Sequence, residues 1–232
     1  MMEAVLFDLD GTLIEFNYNY VSARRLVIAR MIEMGVDGNV LSESKPVSIN
    51  VEDAIMFMRK KGLNEEELRG FRRKVYEAVE PLELEAAVNP VLREGAYNLL
   101  SWLEKKGVKM AVCTNNCSMA SEIILRKTCL KKFFVHVLTR NDAERLKPFP
   151  DIILKACEKL EVPPWKTVYI GDSPIDVAAA KNAGVKPIGI ASSLWSAEKL
   201  RDAGAELVAL NLDELKECLS GWFNSSRVLI KP

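Results

Sequence analysis

Two aspartates separated by one residue follow a short apolar run near the amino terminus. Asp8 and Asp10 come directly after Ala4–Phe7 and precede Gly11. Two carboxylates at the end of a buried strand are costly unless a cation compensates them, and Mg²⁺ prefers one or two carboxylates together with a substrate phosphate. A carboxylate can also attack phosphorus and divide one difficult step into two. The alternative interpretation is an ordinary Asp-Gly turn at a strand end.

A second acidic pair lies in residues 171–176. Asp172 follows another apolar run, and Asp176 comes one helical turn later on the same side of a predicted helix. Together these acids could complete an oxygen-ligand shell for a cation. Ser173 and Pro174 are typical of a helix start, and Asp176 suits a first turn. Helix capping therefore explains part of this segment, but it does not account for Asp172.

Two further segments carry weaker signals. Thr114, Asn115 and Asn116 follow an apolar run, and hydroxyl, amide and backbone N–H groups ahead of a helix can hold phosphate oxygens. The same residue types are common in turns. Lys147 precedes Pro148, which stiffens the chain, although a solitary lysine is usually an exposed, solvated charge.

Strands and helices alternate after residue 90, and these elements must position the polar residues. Apolar runs predict strands near residues 4–7, 108–113, 133–138, 167–171, 187–190 and 206–209. Helical spacing and end signals predict helices over 94–106, 118–127, 151–160, 175–183, 197–203 and from 213 onward. This alternation predicts an α/β fold with a doubly wound parallel sheet. Ligands of such sheets bind beyond the carboxyl ends of the strands.

Residues 17–90 have a different character. Apolar residues recur at helical spacing over 21–32 and 51–58, and Asn64 has the features of a helix N-cap. No convincing strand pattern interrupts them. We therefore predict an α-helical domain at residues 17–90, inserted into an α/β core made of residues 1–16 and 91–232.

Composition limits the possible partners and compartments. The chain of 232 residues is 49% hydrophobic, and its 32 basic and 32 acidic residues cancel, which argues against disorder and against nucleic-acid binding through bulk charge. No apolar run is long enough to cross a membrane, and residues 1–10 do not resemble a signal peptide. Five dispersed cysteines are typical of reduced thiols. We expect a cytoplasmic monomer or homodimer without nucleic-acid or membrane partners.

Taken together, these motifs resemble the haloacid dehalogenase superfamily, in its phosphatase branch. The resemblance rests on four motifs in this order: Asp8-x-Asp10, Thr114, Lys147-Pro148 and Gly171–Asp176. It covers residues 1–16 and 91–220, and the helical insertion matches the superfamily's helical cap in position and size. It implies a Rossmann-like core and a magnesium-dependent phosphatase that acts on a small phosphorylated metabolite.

The resemblance also implies roles for the four acids. Asp8 would be the nucleophile and become an aspartyl phosphate, and Asp10 would act as general acid and then as general base. Mg²⁺ would be held by Asp8, the backbone carbonyl of Asp10 and Asp172. Asp176 would act as a further ligand or through a bridging water. An acid at Asp10 is absent from the dehalogenases, so we expect no dehalogenation.

The same resemblance assigns the phosphoryl oxygens to three residues. Thr114, Asn115 and Lys147 would bind them, Asn115 through its backbone N–H more than its side chain, and Lys147 would also offset the carboxylate charge. Two related activities stay open. One is a phosphomutase like β-phosphoglucomutase, and the other is a phosphonate hydrolase, for which Lys45 is a candidate Schiff-base lysine. A binding module without turnover is disfavoured because every acid of the site is present.

Overall fold

The computed structural model describes residues 2–15 and 17–225. The chain forms two compact units, one made of the chain up to Asn17 together with the chain from Asn89 onward, the other of Tyr18–Val88. Within the described residues, no helix is both long enough and apolar enough to span a bilayer.

A six-stranded parallel sheet organises the first unit, in the order β3-β2-β1-β4-β5-β6. The strands are Ala4–Phe7 (β1), Lys109–Cys113 (β2), His136–Leu138 (β3), Thr167–Gly171 (β4), Lys186–Ile190 (β5) and Leu207–Ala209 (β6). The central strands β1 and β4 are buried along their whole length, as expected for parallel strands whose two faces are covered. The predicted α/β fold with a parallel sheet is confirmed.

Helices separate these strands in the chain. Those of the first unit are Ala96–Lys105 (α5), Ser118–Lys127 (α6), Asp151–Leu160 (α7), Pro174–Asn182 (α8), Ala197–Asp202 (α9) and Leu212–Ser225 (α10). The third strand is shorter than predicted, because the chain is still turning where the strand was expected to begin. Cys129 adopts a left-handed conformation after α6, and Lys131–Phe133 form a short 3₁₀ turn before β3.

The second unit, Tyr18–Val88, consists of helices joined by turns and loops, with no strand among these residues. Its helices are Tyr20–Glu33 (α1), Val47–Lys60 (α2), Glu65–Glu77 (α3) and Glu80–Ala86 (α4). Helix α2 begins earlier than predicted, directly after Pro46, whose ring suits a helix start. The start of α4 was not predicted from the sequence, although proline disrupts a helix interior. Pro81 instead lies in the first turn of α4, where its missing N–H costs nothing.

The register of the sheet determines which side chains meet. Phe7 of β1 lies opposite Val112 of β2 and Ile170 of β4. Because the strands are parallel, the residues that follow them emerge at one edge of the sheet. Asp8 leaves β1 there, and Asp172 leaves β4 beside it.

The predicted N-cap at Asn64 is confirmed and completes a capping box. Its side-chain oxygen accepts hydrogen bonds from the N–H groups of Glu66 and Glu67, and the Glu67 carboxylate accepts one from the Asn64 N–H. We expect Asn64→Ala to lower the free energy of unfolding by about 1 kcal/mol, measured by urea unfolding followed by circular dichroism. Asn64→Asp, which keeps an acceptor, should stay near the wild-type value. Equal losses in both variants would contradict this role.

Candidate active site

Three carboxylates meet at the carboxyl edge of the sheet. Oxygen atoms of Asp8, Asp172 and Asp176 all lie within 4.8 Å of one another, and all three residues are buried. Asp8 follows β1 and Asp172 follows β4. Asp176 lies in the first turn of α8, where Ser173 caps the helix and forms a reciprocal capping box with it. The helix cap predicted from sequence is thus present, and it presents the Asp176 carboxylate to the other two.

Lys147 is the cation that faces these acids. Its Nζ atom lies 2.6 Å from Oδ1 of Asp8 and 2.7 Å from Oδ1 of Asp176. The side chain is 2% exposed, so the usual expectation of a solvated surface lysine does not hold here. A buried ammonium requires such partners, because moving an unpaired charge out of water is very costly.

Tyr169 completes the surroundings of this lysine and was not predicted from the sequence. Its hydroxyl oxygen lies 2.8 Å from Nζ of Lys147, and the hydroxyl donates to the carbonyl of Cys113 at 2.9 Å. The ammonium thus has three partners for its three N–H donors. A tyrosine inside an otherwise apolar strand could have indicated this role, because a buried phenol needs a hydrogen-bond partner.

Asp10 lies apart from the three-carboxylate cluster. Its Oδ2 atom accepts a hydrogen bond from Nδ2 of Asn116 at 3.1 Å. The backbone N–H of Asn116 donates to Oγ1 of the buried Thr114, also at 3.1 Å. The loop after β2 therefore contacts the loop after β1 through an amide and a carboxylate, as the predicted proximity of these strand ends requires.

Asn115 uses its side chain on the backbone of Lys147. Its Oδ1 atom accepts from the Lys147 N–H at 3.1 Å, and its Nδ2 atom donates to the Lys147 carbonyl at 3.3 Å. This pair of hydrogen bonds fixes the loop that carries the lysine. The Asn115 side chain is therefore engaged with the backbone of Lys147.

Two glycines allow these carboxylates to approach the backbone closely. A Cβ atom on Gly11 would lie 2.3 Å from Oδ2 of Asp172, and Gly11 has a φ of +77°, a conformation that side chains disfavour. A Cβ atom on Gly171 would lie 2.4 Å from Cβ of Asp176. Any larger residue at either position would displace an acid of the cluster.

Burial and repulsion by neighbouring carboxylates disfavour ionisation of Asp8 and Asp172. Burial raises the pKa of Asp172 to about 7, and repulsion by Asp176 adds to that effect against weaker attraction from Lys147. The pKa of Asp8 is also raised, first by burial and then by the neighbouring acids, although Lys147 opposes this. Burial disfavours the ammonium form of Lys147, but Asp176 and Asp8 outweigh it and raise its pKa. One cation therefore faces more negative charge than it can balance.

This donor set fits a divalent metal ion. Three buried carboxylates supply hard oxygen ligands of the kind that Mg²⁺ prefers. The raised pKa values of Asp8 and Asp172 reflect first burial and then repulsion between carboxylates, and a divalent cation would relieve that repulsion.

Comparisons with known proteins assign the chain to one family. Residues 5–190 match the model of the haloacid dehalogenase-like hydrolases. The chain belongs to this family. Hydrolases of this kind generally use Mg²⁺, which agrees with the buried acids of the site.

The relatives of this hydrolase act on phosphorylated compounds. The chain is 30% identical over 216 residues to a phosphorylated carbohydrates phosphatase of Thermotoga maritima, covering 88% of this chain and 92% of the relative. It is 27% identical over 231 residues to pyrophosphatase PpaX of Anoxybacillus flavithermus, covering 94% and 97%. A solved structure from Thermotoga maritima, provisionally named a β-phosphoglucomutase, matches with a TM-score of 0.62 and 27% identity over 95% of this chain and 99% of its own. The protein is a phosphatase of the haloacid dehalogenase-like family.

The raised pKa of Asp172 predicts a pH-dependent stability of the metal-free hydrolase. The ordinary pKa is 3.8 and the folded value is about 7, so between these values the folded state binds more protons than the unfolded state. Stability then falls as pH rises, by up to about 1.4 kcal/mol per pH unit for one group. We expect a lower Tm at pH 8 than at pH 5.5, and a larger increase in Tm with Mg²⁺ at pH 8.

Calorimetry in EDTA and in Mg²⁺ measures both effects. Asp172→Asn is the control, because an amide cannot titrate and should weaken the pH dependence. A Tm that is equally sensitive to pH in wild type and Asp172→Asn would contradict the assignment to Asp172.

The close contact at Gly171 gives a second prediction. Gly171→Ala should cost about 1–3 kcal/mol of stability, because overpacking at Cβ of Asp176 forces α8 to shift. Phosphatase activity should fall with it, since Asp176 holds Lys147. Gly70→Ala is a matched control within α3, where an added Cβ meets no atom within 4 Å; it should raise stability by up to about 1 kcal/mol. Chemical unfolding of both variants tests this, and similar effects would refute it.

Proposed function

We propose that this hydrolase is a magnesium-dependent phosphatase that releases phosphate from a small phosphorylated metabolite through an aspartyl phosphate on Asp8. The observation that supports this most strongly is the position of the Asp8 carboxylate. It is buried at the end of β1, 2.6 Å from the ammonium of Lys147, within a cluster that has more acids than bases. A nucleophile for phosphorus and the charges needed to bring a phosphate to it are therefore together.

In the first step, a carboxylate oxygen of Asp8 attacks the phosphorus atom. The bond between phosphorus and the leaving oxygen breaks, and Asp10 gives its proton to that oxygen. The products are a free alcohol and an aspartyl phosphate on Asp8. Proton transfer of this kind contributes about 10²- to 10⁴-fold to a rate.

In the second step, the now ionised Asp10 takes a proton from water as the water oxygen attacks phosphorus. The bond between phosphorus and Asp8 breaks, which restores the carboxylate and forms inorganic phosphate. Asn116 supports this role of Asp10, because its amide donates to the Asp10 carboxylate at 3.1 Å. A carboxyl group that is fixed by this hydrogen bond can adopt fewer orientations, which favours proton transfer in both steps.

The incoming phosphate dianion is repelled by Asp8 and its neighbours. We propose that Mg²⁺ is held by Asp8, the backbone carbonyl of Asp10 and Asp172, with Asp176 acting directly or through a water. When bound, the ion supplies the positive charge that offsets this repulsion. The raised pKa values of Asp8 and Asp172 support a site that needs such charge.

The phosphoryl oxygens are proposed to bind Thr114, the backbone N–H of Asn115 and Lys147. Lys147 already has a partner for each of its three N–H donors. Binding a phosphoryl oxygen therefore replaces one of these hydrogen bonds. Tyr169 is the neutral partner of the three, and its hydroxyl retains the Cys113 carbonyl, so this is the bond whose exchange costs least electrostatically.

The relatives indicate which phosphorylated compounds the enzyme would hydrolyse. Two relatives are named a phosphorylated carbohydrates phosphatase and a pyrophosphatase, which supports phosphorylated sugars and pyrophosphate as candidate substrates. We propose that residues 18–88 serve as the cap that selects among such compounds, and that the enzyme is a cytoplasmic monomer or homodimer acting without nucleic-acid or membrane partners. A phosphomutase activity stays an alternative, supported by the β-phosphoglucomutase likeness.

Phosphonate hydrolysis is not favoured by the surroundings of Lys45. Its Nζ atom lies 2.6 Å from Oδ2 of Asp53. This ion pair engages the amine that would have to attack a carbonyl group to form a Schiff base. We therefore propose hydrolysis of a phosphate ester or a phosphate anhydride.

Phosphate release from a panel of sugar phosphates, other phosphorylated metabolites and pyrophosphate tests the proposed function. We expect Mg²⁺-dependent release that EDTA abolishes and that Asp8→Asn lowers by more than about 10³-fold. Acid quenching during turnover should trap phosphate on the peptide that contains Asp8. Asp202→Asn, at an exposed position in α9, is the control and should match wild type.

Each other outcome has a distinct meaning. An isomeric sugar phosphate in place of free phosphate would indicate the mutase. Activity retained in Asp8→Asn would refute the covalent intermediate on Asp8. No release from any compound by folded protein would refute the phosphatase proposal for this panel's substrate classes.

A further inference from the structure

Arg93 lies on the segment that follows residues 18–88 in the chain. Its backbone N–H donates to the Leu13 carbonyl at 3.0 Å, and the Glu15 N–H donates to the Val91 carbonyl at 2.8 Å. The segment before the helical unit and the segment after it are therefore paired in antiparallel fashion. This pairing brings the Arg93 side chain to the carboxyl edge of the sheet.

The guanidinium of Arg93 connects two loops that are distant in sequence. Nη1 donates to the carbonyl of Gly11, which follows β1, and Nη2 donates to the carbonyl of Ala191 at 2.8 Å, which follows β5. The side chain is only 12% exposed. A planar guanidinium with fixed, diverging donors suits such a bridge better than a flexible ammonium does. Glu15 is 3.9 Å away and half-exposed, so it contributes little.

Both of these loops lie beside Asp172. Gly11 lies against the carboxylate, so closely that a Cβ atom there would be 2.3 Å from Oδ2. Ser192, the residue after Ala191, lies near the same carboxylate, since its side chain is among the groups that lower the pKa of Asp172. Asp172 thus lies beside two loops that the Arg93 guanidinium connects.

We propose that Arg93 is a positioning residue for the cation site, which fixes the loops after β1 and β5 on either side of Asp172. The inference rests on the proposed function only in taking Asp172 as a ligand of the divalent cation. Arg93 itself contacts neither the cation nor the substrate. Without its guanidinium, the loop after β5 loses its attachment to the Gly11 turn, and Asp172 loses a fixed orientation.

Direct metal binding tests this role independently of turnover. We propose measuring Mn²⁺ affinity by electron paramagnetic resonance for Arg93→Met, which keeps an apolar stem, and for Arg93→Lys, which keeps the charge. We expect Arg93→Met to weaken Mn²⁺ binding by about 10-fold or more, the usual effect of removing a group that orients a ligand. Arg93→Lys should fall between Arg93→Met and wild type. With saturating Mg²⁺, KM for the substrate should change by less than about twofold.

Arg126→Met is the matched control. Arg126 is 74% exposed and pairs with Glu122 within α6, so its loss should leave Mn²⁺ affinity unchanged. Mn²⁺ binding by Arg93→Met within twofold of wild type would overturn the proposal, and a lower Tm with unchanged affinity would show a structural role only. If Arg93→Met does not fold, Arg93→Lys decides, and wild-type affinity in that variant overturns the proposal.

Failure of this inference differs from failure of the proposed function. Wild-type protein that binds Mn²⁺ and releases phosphate, with an Arg93→Met variant of equal affinity, refutes the role of Arg93 alone. Wild-type protein that neither binds Mn²⁺ nor releases phosphate refutes both.

Discussion

The buried ammonium of Lys147 is the interaction on which the site depends. It bridges Asp8 and Asp176 at 2.6 and 2.7 Å with almost no access to solvent. Removing one partner of such a buried pair typically costs about 3–5 kcal/mol, because the other charge stays uncompensated. Strand β1 and helix α8 can therefore present two acids to one small volume only while this lysine balances them. The other residues of the site hold these three groups in place.

Backbone geometry provides most of this support. The parallel register delivers Asp8 and Asp172 to one edge, and the N-cap of α8 directs Asp176 toward them. Two glycines leave room where a Cβ atom would collide with a carboxylate. Asn115 fixes the main chain of the lysine through two hydrogen bonds. Preorganisation of this kind is what electrostatic catalysis requires, since the charges need not rearrange when the reaction occurs.

The fold and the clustering of Asp8 with Asp172 could be predicted from the sequence, because strands buried on both faces are continuous apolar runs and both acids directly follow such runs. The burial of Lys147 could not, since its neighbours give no sign of it and its partners Asp8 and Asp176 lie 139 and 29 residues away. Arg93 was missed for the same reason: its contact with Ala191 spans 98 residues. Tyr169 was missed because it lies within an apolar strand, although its hydroxyl could have indicated a buried partner. Such contacts depend on strand order, which local patterns do not contain.

The antiparallel pairing of the segments around Leu13 and Arg93 has a consequence for the history of this architecture. The chain leaves the sheet and returns to it at neighbouring points, with the Glu15 N–H 2.8 Å from the Val91 carbonyl. An insertion bounded in this way makes no demand on strand order or register. It can be lengthened, exchanged or reduced to a tight turn while the strand-end acids keep their positions. The α/β core that carries the strand-end acids and the inserted part are thus free to diverge at different rates.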